Sequence, residues 1–176
     1  MASWTPPTIY SAGQNMSLNA YLALANNETF LYQAPYAAYY DSAGTSCTTN
    51  VLTQVSLGGT TATNYGFSVD GSNNVVLPLT GIYTVSFAVG FPNASGGYMW
   101  GLVQKNGTTI FQGNRSSIIP SGASNPNNTI CNGSGIISGT AGDLIGLYAR
   151  QTYYASLTTT NSASQTYLHL TFVGSA

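Results

Sequence analysis

Charged side chains are nearly missing from this chain. Only 4% of its 176 residues are Asp, Glu, Lys or Arg, where an average soluble domain carries roughly 25%. The seven are Glu28, Asp41, Asp70, Lys105, Arg115, Asp143 and Arg150, and they leave a formal net charge of −1. No basic run exists to grip nucleic acid or an anionic membrane, so neither is expected as a partner. Histidine is reduced to His169 and cysteine to Cys47 and Cys131, with none of the clusters that zinc or calcium sites need. The four carboxylates are scattered, which argues against paired acid–base catalysis. No serine stands in a Gly-x-Ser-x-Gly elbow. No glycine run forms a phosphate loop between a strand and a helix. The expectation is a protein that is not an enzyme and holds no cofactor or metal. Long apolar runs are missing too: none approaches the roughly 18 residues of a spanning helix. The N-terminus lacks the charged and apolar regions of a signal peptide.

What is present is uncharged polarity. Asn, Thr, Ser, Gln and Gly fill the intervals between apolar segments. Such a surface suits a protein that works outside a cell or packed in an assembly, because near-zero net charge favours association. Cys47 and Cys131 are open to two readings, a single disulfide or two buried thiols.

The organising stretch is Leu79 to Phe91. After a turn at Pro78 to Gly81, Tyr83, Val85, Phe87, Val89 and Phe91 alternate with Ile82, Thr84, Ser86, Ala88 and Gly90. A period of two, rich in β-branched and aromatic residues, is a strand pattern. The large face belongs in a core, and the small face lets another layer or subunit come close.

Residues 1–45 read as an N-terminal arm. Trp4-Thr5-Pro6-Pro7 is a stiff extended start, and Leu18, Tyr21, Leu22 and Ala25 recur at helical spacing behind a capping Asn15 or Ser17. This predicts a short helix over about 17–31, weakened near Asn26-Asn27, with a narrow apolar stripe that must dock on something else. Tyr32, Tyr36, Tyr39 and Tyr40 follow closely. Dense tyrosines can stack on sugars, but protein interfaces favour them too, and that reading is preferred.

Residues 46–176 read as all β. The predicted strands are Val51–Leu57, Tyr65–Val69, Val75–Leu77, Gly81–Phe91, Tyr98–Lys105, Thr108–Gln112, Thr129–Ile137, Asp143–Ala149 and Thr166–Phe172. Asn106-Gly107 is a type I′ hairpin signal. Ser121–Asn128 and Gln151–Gln165 are long connections. Short strands with this punctuation predict a mainly β chain, an antiparallel β-sandwich of the jelly-roll kind. His169 lies between Leu168 and Leu170 in the last strand, on the opposite face, and reads as a structural or interface residue.

Two segments resemble the C1q/TNF-like superfamily. Gly81-Ile82-Tyr83 resembles its strand opening, and Gly142-Asp143-Leu144-Ile145 resembles its later Gly-Asp strand. Lys105-Asn106-Gly107-Thr108 matches its hairpin and Tyr167 to Phe172 its closing strand. The resemblance marks Gly81, Tyr83, Gly142 and Asp143 as scaffold residues and implies a homotrimer of jelly rolls. The arm resembles the N-terminal stretch of tailed-bacteriophage structural proteins through Trp4, Ser11-Ala12-Gly13-Gln14, Leu18-Asn19-Ala20-Tyr21-Leu22, Phe30-Leu31 and Pro35. Gln14 stands where an acidic residue is usual, and the common Arg-Asp of the helix is missing.

Together these resemblances imply a virion protein at the particle surface, a capsid decoration (cement) protein. Its arm would contact the major capsid protein or another virion protein, or neighbouring copies, through Trp4, Tyr10, Leu18, Tyr21, Leu22, Phe30, Leu31 and Tyr36. The alternative is a head- or tail-fibre adhesin for host surface glycans, with the loops Asn93–Gly97, Ser121–Asn128 and Gln151–Gln165 as readers, helped by Tyr98, Trp100, Tyr153 and Tyr154. A secreted C1q-like or TNF-like ligand, or a spore-surface domain, fits least well.

Overall fold

The computed structural model describes residues 17–32, 34–60, 64–92, 97–116, 129–153 and 155–175. The chain divides into two units, 1–34 and 35–176.

In the first unit, Leu18–Tyr32 forms one helix, α1. Ser17 caps it: its Oγ accepts a hydrogen bond from the Ala20 amide at 3.2 Å, satisfying one of the free donors of the first turn. The helix runs through Asn26-Asn27 without a break. Its apolar residues do not form the narrow stripe expected. Leu24, also exposed, stands about 200° around the axis from Leu22.

The second unit is built from strands. They are β1 (Tyr36–Tyr40), β2 (Ser46–Cys47), β3 (Thr53–Gln54), β4 (Gly59–Thr60), β5 (Ser68–Val69), β6 (Val75–Val76) and β7 (Gly81–Phe91). The rest are β8 (Tyr98–Lys105), β9 (Thr108–Ser116), β10 (Thr129–Gly139), β11 (Leu144–Gln151), β12 (Leu157–Thr158) and β13 (Tyr167–Gly174). One sheet runs β10-β7-β13-β1-β4, the other β5-β6-β11-β8-β9, and β2 and β12 form a short ribbon. One edge of β11 is shared: β6 pairs with Leu144 and Ile145, β3 with Tyr148 and Ala149. Every pairing is antiparallel. The sandwich expected from the alternation is therefore present.

The core lies between the sheets. Tyr83, Val85, Phe87, Val89 and Phe91 of β7 are fully buried, with Leu168 and Leu170 of β13, Met99 and Val103 of β8, and Ile145 and Leu147 of β11. Each such side chain contributes about 1.5–3 kcal/mol relative to exposure. Tyr83 carries the polar end of this core. Its Oη donates to the Leu79 carbonyl and accepts from the Leu79 amide at 3.1 Å. Its ring meets Phe172 edge to face, at 5.1 Å and 78°.

The arm boundary is corrected by β1. Residues 1–45 were expected to stand apart, but the division falls after residue 34. Tyr36–Tyr40 pairs along its whole length with Thr171 to Tyr167 of β13. Tyr36 therefore belongs to the sandwich. Its alternation is hidden because tyrosines occupy both faces: Tyr39 points into the core and Tyr36 and Tyr40 away from it. Val51–Leu57 shrinks to the two residues of β3, although Val55 still donates its amide to the Leu147 carbonyl at 2.8 Å. Tyr65–Val69 shrinks to β5 plus an isolated bridge from Tyr65 to Tyr36.

The Asn106-Gly107 turn is as expected, with φ values of 49° and 80°. The connection after β12 folds over the end of β7: Thr160 donates its amide to the Gly90 carbonyl, and the Gly90 amide donates to Thr166 Oγ1. Asp41, fully buried just after β1, ties this end together. One carboxylate oxygen accepts from the Ala43 and Gly44 amides, the other from the Thr45 and Thr159 hydroxyls.

Candidate functional site

The small face of β7 is the outward side of the five-stranded sheet. Register places Ser134, Ser86, His169 and Ala38 in one row across β10, β7, β13 and β1. The next row is Ile136, Thr84, Thr171 and Tyr36, and on the other side runs Asn132, Ala88, Tyr167 and Tyr40. No Asp, Glu, Lys or Arg occurs in any of the five strands. The centre is a groove of about 310 Å³ lined by hydroxyls, the His169 imidazole and Ile136. Ile136 is 69% exposed, and Val173 near the end of β13 is exposed as well.

His169 is the chemically distinctive group there. Its ring stacks on Tyr167 at 4.4 Å, two residues away on the same strand face. Nε2 is buried and lacks a hydrogen-bond partner. Burial lowers the pKa below the usual imidazole value, so the neutral ring is favoured. No Ser-His-Asp arrangement is built around it among the described residues. No group of three metal-ligating side chains occurs among them either.

The scaffold residues lie at one end of the sandwich. A side chain at Gly81 would meet the Gly174 carbonyl and the Phe172 ring, so the strand can enter there only as glycine. Gly142, at φ 92°, makes the turn before β11. Asp143 fastens that turn to the hairpin. It accepts from the Thr140 amide at 2.9 Å and from Asn106 Nδ2 at 2.8 Å, and Lys105 Nζ lies 3.5 Å away. These hydrogen bonds, first that of Thr140 and then that of Asn106, hold its pKa below the usual carboxylate value. Cys47 and Cys131 are both buried and are not joined by a disulfide, and burial pushes the Cys47 thiol up to about 11.

The outward side of the other sheet is different. Tyr98 and Trp100 stand two residues apart on β8 with ring centroids 6.0 Å apart, and Tyr98 is 57% exposed. Register sets Arg150 of β11 opposite Trp100, and its guanidinium carbon lies 5.5 Å from that ring's centroid. Tyr148 lies opposite Leu102 on the same face. Tyr153 belongs to the connection after β11; Tyr154 lies outside the described residues.

No protein-family model matches the chain, and no curated protein matches it. Solved structures do. The TNF protein Eiger from S. frugiperda superposes with a TM-score of 0.60 at 14% identity, covering 81% of this chain and 95% of that one. Murine APRIL at pH 5.0 gives 0.61 at 21% identity, covering 80% and 99%. Murine APRIL at pH 8.0 gives 0.60 at 19% identity, covering 79% and 98%. The fold is the TNF-like jelly roll.

The residues expected to make arm contacts separate under this description. Leu18, Tyr21 and Leu22 are exposed on α1, whereas Tyr36 stands on the jelly roll's outward face. Phe30 and Leu31 fall within α1, but their side chains lie outside the described residues, as do Trp4 and Tyr10 entirely. The sequence pattern alone marks neither Ile136 nor Arg150. The alternation of β10 could have placed Ile136 beside Thr84 had the pairing been known. The Arg150–Trp100 contact depends on a register between strands far apart in sequence.

Proposed function

We propose that this chain is a bacteriophage virion structural protein, a capsid decoration (cement) protein acting as a homotrimer of TNF-like jelly rolls. The single observation that carries self-association is the uncharged outward face of the β10-β7-β13-β1-β4 sheet. Pressing that face against other copies desolvates hydroxyls, an amide, Ile136 and aromatic rings, and spares the several kcal/mol that each buried ion costs. Closed cyclic symmetry lets such a unit sit on a symmetric particle. The attachment element is the 1–34 unit. Its exposed Leu18, Tyr21 and Leu22, with Trp4, Tyr10, Phe30 and Leu31, would contact the major capsid protein or another virion protein. The resemblance of this stretch to phage structural proteins supports that assignment.

Native mass measurement and decoration of particles lacking the protein test the two halves separately. The deletion must stop at residue 34, because going to 40 removes β1. The expected result is a trimer with or without residues 1–34, and decoration only with them. A monomer at every concentration refutes the assembly; normal decoration by the truncated protein refutes the arm.

The Tyr98–Trp100–Arg150 patch favours a second reading, an adhesin for host surface glycans. It lies on the sheet opposite the proposed assembly face.

A further inference from the structure

The patch on β8 and β11 has a chemistry more specific than exposed aromatic area. The Arg150 guanidinium makes no ion pair or hydrogen bond among the described residues and lies over the Trp100 ring. A guanidinium stacked on an indole gives up little further freedom when it meets an anion, and its planar fork matches a carboxylate. Tyr98 presents an open ring beside it, within 6.0 Å of Trp100. Leu102, nearly buried on the same face, makes the floor apolar, and the exposed Gln112 opposite it adds an amide. A ligand suited to this surface needs a flat apolar side, hydroxyls and one carboxylate.

We propose that Tyr98, Trp100 and Arg150 form a binding site for a carboxylated pyranose, an acidic sugar of the hexuronic-acid type. The apolar C–H side of the ring lies on Tyr98, and the carboxylate pairs with the Arg150 guanidinium over Trp100. Carboxylate specificity follows from the chain itself. Among the described cationic side chains, Lys105 is already placed against Asp143, whereas Arg150 is open to an external anion. The site gives chemical content to the adhesin reading and rests on it only for biological use. Binding is measured on purified protein, so failure of host attachment and failure of the site are separate results.

Isothermal titration of the full chain at low salt with tetragalacturonate is expected to show binding. Maltotetraose, an uncharged α-1,4-linked tetrasaccharide that lacks the carboxylates and differs also at C4, is expected to bind at least about tenfold more weakly, the worth of a charge-assisted hydrogen bond. Arg150→Gln should bring tetragalacturonate down to the level of maltotetraose, and Tyr98→Ala should weaken both sugars. Both positions are exposed, so thermal unfolding should match the parent protein, which verifies that the variants are folded. Silence with tetragalacturonate up to about 10 mM, equal binding of the two sugars, or unchanged binding by Arg150→Gln would each overturn the proposal. A glutamate tetrapeptide that bound as tightly would overturn the sugar class.

Discussion

Thr84 offers the sharpest test of the assembly face. It is exposed on β7, flanked by Ile136 on β10 and Thr171 on β13. In a free jelly roll, a glutamate or arginine there stays hydrated, and its effect on folding should remain within about 0.5 kcal/mol. In an assembly that covers this face, each copy buries one ion. The effective penalty is several kcal/mol per ion even after relaxation, and no opposite charge exists on the five strands to offset it. Taking about 3 kcal/mol as a low figure, each subunit's dissociation constant rises about 100-fold. In the proposed trimer, symmetry would make the three like charges repel as well.

Thr84→Glu and Thr84→Arg should therefore both give monomers with native far-ultraviolet circular dichroism, while neutral Thr84→Gln stays close to the parent. Light scattering across a dilution series reads the outcome. Retention of the parent mass by both charged variants at every dilution would refute the reasoning. Dissociation by only one of them would show that the sign of charge matters, not its burial, which also contradicts the argument.

Other substitutions test the scaffold. Tyr83→Phe removes both hydrogen bonds to Leu79 from a fully buried ring; it should cost about 1 kcal/mol, read as a drop in Tm of about 3 °C. Asp41→Ala strips the acceptor from two amides and two hydroxyls at a buried position. It should cost about 3 kcal/mol or more in urea unfolding, with Asp41→Asn less damaging. For His169, the folded-state pKa lies below the unfolded value, so the unfolded chain takes up the proton first as pH falls. Stability is full above about pH 6.5 and declines through the window between that value and the lower folded pKa. His169→Gln should flatten this part of the Tm–pH curve; an unchanged slope would exclude the histidine as its source.

Legibility in the sequence followed regularity. β7 was readable to the residue because one face is large and the other small over eleven positions. The Asn106-Gly107 hairpin was readable because only two positive φ angles suit it. β1 was not, since tyrosines on both faces erase the period of two. β2, β4 and β12 are two residues long, too short for a period, and exist because neighbouring strands supply partners. The small face of β7 could be recognised as a place for close approach. Its freedom from charge became visible only when β1, β10 and β13 were set beside it. The Tyr98 and Trp100 pair was readable from spacing, but the arginine that gives the patch its chemistry was not. It comes from a strand nearly fifty residues later, aligned by the β8–β11 register.

The uneven placement of charge has a consequence for ionic strength. Lys105, Arg115 and Arg150 lie in the six-stranded sheet, Asp70 in the turn between its strands β5 and β6, and Asp143 in the turn that leads into β11, while the strands of the opposite sheet carry no charge. Dissolved salt screens exposed charges over a distance of about 10 Å at 0.1 M and leaves apolar and hydroxyl contacts almost untouched. Raising the salt concentration should thus release whatever Arg150 holds and leave contacts through the β7 face in place. The two sides of one sandwich answer to different solution variables, so each can be disabled without disturbing the other.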